Sequence, residues 1–161
     1  MKQEILDCGK LLIDKKLTLA FAESATAGFL SGEFSLVPHA GDFLKGGLAC
    51  YDAELKKHLL YVPEGLIDTF TPESMEVTSA MCSGLVDLIP ADIHVAVTGL
   101  TCPGGSETEE KPVGTMFLVG LLHGEKLFAE RLCLDGNEDQ IISATVLQVA
   151  RLIRKHINGK A

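Results

Sequence analysis

The residue most suggestive of chemistry is a serine set directly behind an apolar strand candidate. The run from Leu17 to Ala22 reads as a buried strand, and it empties into Glu23-Ser24-Ala25-Thr26 ahead of a helical pattern over 26–36. Two readings of Ser24 follow. The commonest use of a serine there is as a cap, its hydroxyl satisfying a free N–H at the helix start, a task Thr26 could share. The other is a nucleophile, with the helix start supplying N–H groups and positive dipole for a developing oxyanion. A nucleophilic serine needs a base. His39, His58, His94, His123 and His156 stand in no triad motif, and the chain has no Gly-x-Ser-x-Gly elbow. His94, inside a strand candidate, reads as a sheet or core residue. A lysine is better placed. At about 100° per residue, Leu55, Leu59 and Leu60 span about 140° of a short helix, with Lys56 inside that arc and Lys57 outside it. Withdrawn from water, Lys56 would hold its proton less tightly and could serve as a base near neutral pH. With its head in water it would be an ordinary snorkelling side chain.

A second glycine-rich strand end offers close backbone approach to a ligand. Gly99-Leu100-Thr101-Cys102-Pro103-Gly104-Gly105 follows the strand candidate Ile93 to Thr98. It lacks the Lys-Ser or Lys-Thr of a Walker loop and is not a dinucleotide fingerprint, so a plain turn is the alternative. Glu107-Thr108-Glu109-Glu110 reads as a solvated loop face rather than a metal site.

The elements that must position these residues follow from periodicity and breakers. Helices are expected over 2–15, 26–36, 53–60 and 64–70. Thr71-Pro72 is expected to open another, running to Leu88. A last helix is expected from a capping box at Asn137-Glu138-Asp139-Gln140 to about Asn158-Gly159. Strands are expected at Leu17–Ala22, Gly46–Tyr51, Ile93–Thr98, Thr115–Leu122 and Lys126–Leu134, the last two as a hairpin. Helices between strands plus one hairpin imply an α/β fold with a mixed sheet covered by helices. Ligands in such sheets sit beyond the carboxyl ends of strands, so Ser24, Tyr51 and Gly99 are expected to converge.

Composition narrows the class. With 161 residues, the chain suits one domain over 1–161, and no linker or repeat interrupts it. A net charge of -8 without clustered Lys or Arg excludes a nucleic-acid partner. No apolar run is long enough to span a bilayer, and Met1-Lys2-Gln3-Glu4 carries no secretory pattern, so a cytoplasmic protein is expected. Cys8, Cys50, Cys82, Cys102 and Cys133 are odd in number and widely spaced, which fits reduced core residues rather than zinc ligands or disulfides.

Three segments in order and spacing resemble one known family. They are Ala22-Glu23-Ser24-Ala25-Thr26-Ala27-Gly28, then Gly46-Gly47 through Tyr51 to Lys56, then Val97-Thr98-Gly99 through Pro103-Gly104-Gly105 to Lys111-Pro112-Val113-Gly114-Thr115. Together they resemble the CinA C-terminal domain family, which includes nicotinamide mononucleotide deamidases, over about residues 5–157. The resemblance implies a three-layer α/β/α fold and hydrolysis of the carboxamide of a pyridine mononucleotide to the acid and ammonia. It implies Ser24 as nucleophile with Tyr51 and Lys56 as the base system, and no metal or organic cofactor. It places substrate binding at Glu23, Ala25, Thr26, Gly46, Gly99, Gly104, Gly105, Lys111 and Thr115. A homodimer or larger homo-oligomer is implied as well. The chain departs from the family pattern at Ala25, Ala27, Ala53 and Cys102, and at Gly136-Asn137-Glu138, where the family has Gly-Asp-Arg. Two other readings stand beside this one: an amidase for another small amide, and a non-catalytic binding or interaction module.

Overall fold

In the computed structural model, which describes residues 2–159, the alternation of side chains along one central strand decides the layers. Every residue of β1 (Leu19–Glu23) is buried. Successive side chains point to opposite faces, so Leu19 and Phe21 enter one apolar cluster while Ala20 and Ala22 enter another. The first cluster joins the sheet to α1 (Lys2–Lys15), α2 (Phe29–Ser35) and α6 (Glu138–Asn158) through Leu12, Phe34 and Val149. The second joins it to α3 (Ala53–Leu60) and α5 (Met75–Leu88) through Leu60, Met81 and Leu85. α4 (Glu64–Phe70) packs beside α5. Small side chains suit the second face because α5 and α3 press close together. A Cβ on Gly84 of α5 would collide with the main chain of Leu60.

The sheet runs in the order β2-β1-β3-β4-β5, with β2 Leu44–Ala49, β3 Ile93–Gly99, β4 Thr115–Leu122 and β5 Glu125–Cys133. β1 is parallel to both β2 and β3, while β4 and β5 are antiparallel additions. The fold is therefore the expected three-layer α/β/α architecture on a mixed sheet. The hairpin closes through His123 and Gly124, both at positive φ (50° and 81°), as a two-residue turn of the twist-matching kind requires. The capping box at the head of α6 is present in both directions, Asn137 with Gln140.

Among the boundaries that differ from the sequence reading, three have a plain physical reason. α2 begins at Phe29 rather than at residue 26, because Ala27 and Gly28 take φ of 48° and 99°, outside the right-handed helical region. α5 begins at Met75, capped by Ser74, whose hydroxyl accepts from Val77 N. Thr71 and Pro72 do not open it: Thr71 has φ 68°, and its hydroxyl accepts from Lys111 Nζ at 2.6 Å. β2 lies two residues earlier than expected, since Asp52 caps α3 through Glu54 N and turns the chain out of the sheet at Tyr51.

Candidate active site

Two main-chain hydrogen bonds extend the parallel ladder past the end of β1. Ser24 N donates to Val97 O at 2.9 Å on the β3 side, and Cys50 N donates to Glu23 O at 2.7 Å on the β2 side. Ser24, Tyr51 and Gly99 thus leave the same edge of the sheet at adjoining positions. The expected convergence of three strand ends is what the topology produces.

The start of α2 is satisfied by Glu23, not by Ser24. The Glu23 carboxylate is fully buried and accepts from Thr26 Oγ1 (2.8 Å), Gly28 N (3.0 Å), Leu30 N (2.9 Å), Ser31 N (2.9 Å) and Ser31 Oγ (2.6 Å). It occupies the place of a capping side chain and puts its charge at the positive end of the helix. The Ser24 hydroxyl donates to and accepts from no protein group among the described residues, nor do the N–H groups of Ala25 and Thr26 donate to one. The cap reading of Ser24 is overturned by its neighbour. Glu23 and Thr26 belong to this support beneath the site and do not line the cavity.

A cavity of about 240 Å³ opens over Ser24, Ala25, Tyr51 and Glu73, walled by the loop Gly99–Gly105. Of the residues expected to bind substrate, Ala25, Gly99, Gly104 and Gly105 line it. Gly46 does not: it lies within β2, paired with Ala20 rather than at the strand end. Thr115 is buried at the start of β4, with its hydroxyl unpartnered and its carbonyl accepting from Leu100 N. Lys111 stands behind the wall. Its ammonium donates to Thr71 Oγ1 (2.6 Å), Ser106 Oγ (2.7 Å) and Glu73 O (3.0 Å), which ties the loop to the segment before α5. The acidic run is not merely solvated, since Glu107 Oε1 accepts from Gly104 N at 2.8 Å and folds the loop tip onto itself. Those main-chain hydrogen bonds hold the Glu107 carboxyl below the usual carboxylate range.

Lys56 is 1% exposed, and its ammonium donates to Tyr51 O at 3.2 Å. Burial is the largest influence on it and holds its pKa below the ordinary lysine value; the neighbouring Cys50, Glu73 and Asp52 act the other way and favour the protonated form. Lys57 is paired with Glu54 (2.5 Å) and Glu64 (3.2 Å) at the surface. The inward and outward lysines are as the helix spacing predicts, but the buried line is different. It runs through Lys56 and Leu60, four residues apart, while Leu55 and Leu59 remain 40% and 37% exposed.

Glu73 was not singled out in the sequence. A helix opening at Thr71-Pro72 would place it in an ordinary first turn, where an acid is simply favourable. It reaches the cavity because α5 starts later, fixed by Ser74 and by Thr78, whose hydroxyl bonds Thr98 of β3 at 2.8 Å. Cys102, half-buried, also lines the cavity; Cys8, Cys50 and Cys82 are buried, and Cys133 is exposed.

Residues 2–157 match the family model of the CinA C-terminal domain. A CinA-like protein of Thermotoga maritima is 36% identical over 151 residues, covering 94% of this chain and 36% of that protein. A CinA-like protein of Desulfotalea psychrophila is 33% identical over 150 residues, covering 92% and 36%. The chain thus spans little more than a third of the length of these curated relatives. Among solved structures, the competence/damage inducible protein CihA of Agrobacterium tumefaciens superposes with a TM-score of 0.87 at 25% identity over 95% of both chains. The competence damage-inducible protein A (ComA) of Klebsiella pneumoniae subsp. pneumoniae superposes at 0.92 with 24% identity, over 98% of this chain and 96% of that one, a likeness of fold.

Proposed function

The chain belongs to the CinA C-terminal domain family, and we propose that it hydrolyses the carboxamide of nicotinamide mononucleotide, giving nicotinate mononucleotide and ammonia. One observation carries the reading: Glu23 caps α2, which leaves the Ser24 hydroxyl uncommitted at the floor of a cavity. Lys56, neutral, takes the Ser24 proton directly or through Tyr51 as Ser24 Oγ attacks the carboxamide carbon. The free N–H group of Ala25, which lines the cavity, holds the oxyanion. The C–N bond breaks as the leaving nitrogen regains the proton from Lys56, and ammonia departs. Water, deprotonated by Lys56, then cleaves the Ser24 ester and restores the hydroxyl. The reaction as written needs neither metal nor organic cofactor.

The test is ammonia release from nicotinamide mononucleotide by the purified chain and by Ser24→Ala. Release by the unsubstituted chain alone is expected. No release above the Ser24→Ala background would overturn the reading in favour of a non-catalytic module. With it go a homodimer or larger homo-oligomer, to be weighed by light scattering, and a cytoplasmic setting. No helix among the described residues is long and apolar enough to cross a membrane.

One observation favours a second substrate. A groove of about 470 Å³ shares Thr101, Cys102 and Pro103 with the cavity and carries Glu138 and Asp139, with no lysine or arginine in its lining among the described residues. Two carboxylates are poor company for a phosphate. A small amide without a phosphate fits this groove better, and a higher kcat/KM for the riboside than for the mononucleotide would establish it.

A further inference from the structure

Among the described residues, the cavity over Ser24 has one charged side chain in its lining, Glu73. Its carboxylate is oriented by a hydrogen bond and makes no direct ion pair among the described residues. Oε2 accepts from Ser106 Oγ at 2.5 Å, while Oε1 has no protein donor among the described residues. Two ammonium groups lie near enough to feel its charge, but neither contacts the carboxylate. Lys111 donates to Thr71, Ser106 and the Glu73 main-chain carbonyl, and Lys56 to the Tyr51 carbonyl. A negative charge held in a partly enclosed cavity attracts a cation more strongly than the same charge in open water. Tyr51 lines the same cavity and carries an aromatic ring, the second component commonly used to hold a ligand cation.

We propose that Glu73 is a specificity-determining residue that selects a positively charged ring, pairing with the ring cation of a pyridinium carboxamide whose amide group lies at Ser24. This rests on the hydrolase reading for the position of the amide, and it assigns recognition of the ring charge to one side chain. N-substituted, cationic nicotinamides are taken, and neutral nicotinamide, which has the same carboxamide, is discriminated against. Ser106 is a positioning residue in this arrangement: it fixes one carboxylate oxygen and leaves the other for the ligand. Lys111 in turn holds Ser106.

The experiment compares two probes, 1-methylnicotinamide as the cation and nicotinamide as its neutral counterpart, by isothermal titration calorimetry on the full chain carrying Ser24→Ala, so that neither is consumed. The cation is expected to bind at least about tenfold more tightly, one decade in the dissociation constant. Adding Glu73→Gln or Glu73→Ala brings the ratio to about one, Glu73→Asp keeps part of it, and Ser106→Ala lowers it while the charge remains. Two removals of the charge are included so that a folding failure of one, read by circular dichroism, leaves the other to decide. Equal affinities on the Ser24→Ala chain, a ratio that survives loss of Glu73, or no binding of the cation at millimolar concentration would each overturn the proposal. Ammonia release tests hydrolysis separately: charge selectivity without turnover refutes the hydrolase alone, and turnover without selectivity refutes the role of Glu73 alone.

Discussion

The ammonium of Lys56 is anchored 3.2 Å from the main-chain oxygen of Tyr51, five residues before it and just ahead of α3, at a depth where only 1% of the lysine is exposed. A charge so placed opposes folding. Its pKa is lower in the folded than in the unfolded chain, chiefly through burial, so the unfolded chain binds the extra proton. The penalty is fullest below the folded-state pKa and fades as pH rises through it toward the ordinary 10.5. Lys56→Met should therefore be more stable than the unsubstituted chain at pH 7, with the difference closing in alkaline solution. Thermal unfolding across pH 6–10 checks this, and the same variant should lose at least about a hundredfold in ammonia release if Lys56 is the base.

Removing the carboxylate beneath the site should cost stability, whereas removing the nucleophile should not. Glu23→Gln keeps one acceptor oxygen and sets an NH₂ group against N–H donors at the head of α2. A loss on the order of 3 kcal/mol is expected in urea denaturation, because buried donors are left unpaired. Ser24→Ala should stay within about 1 kcal/mol of the parent, since its hydroxyl serves no protein partner.

Ala27 is exposed and held at φ 48°, in the left-handed region that a Cβ disfavours by about 1 kcal/mol. Ala27→Gly should raise stability by roughly 0.5 kcal/mol, the relief of strain outweighing the added freedom of the unfolded chain. A lower urea midpoint for the variant would contradict this.

The cysteines should separate by reactivity. Burial pushes the thiols of Cys8 and Cys82 up to about 12 and that of Cys50 to about 11, which leaves almost no thiolate at neutral pH. Iodoacetamide should label Cys133 and Cys102 in the folded chain and spare the other three. Adducts at Cys102 should block ammonia release because that side chain lines the cavity, and substrate should slow their formation; peptide mass mapping reads both.

The strand and helix inventory was readable because each element carries its own local pattern. The all-apolar centre of β1, the short connection after Leu122 that marks a hairpin and the capping box at Asn137 need nothing from distant residues, although Glu125, expected in the connection, already belongs to β5. Lys56 was readable as the inward lysine, although the leucines used to infer it stay half in water. Glu23 and Glu73 were not readable in their actual places. The first needed the turn at Ala27 and Gly28, which starts α2 late and gathers five donors around one carboxylate. The second needed Ser106 and Lys111, more than 30 residues further on, to draw Thr71 and Glu73 away from helix formation. Local propensity records neither, because both are decided by tertiary partners.

The loop from Leu100 to Gly114 is closed at its neck by Leu100 N to Thr115 O (2.9 Å) and Gly114 N to Leu100 O (2.7 Å), and fastened along its length by Glu107 and Lys111. Its conformational entropy is given up when the chain folds, not when a ligand arrives. A small molecule meets a wall already in place, so little of the association free energy is lost to ordering, and a few polar contacts suffice for useful affinity.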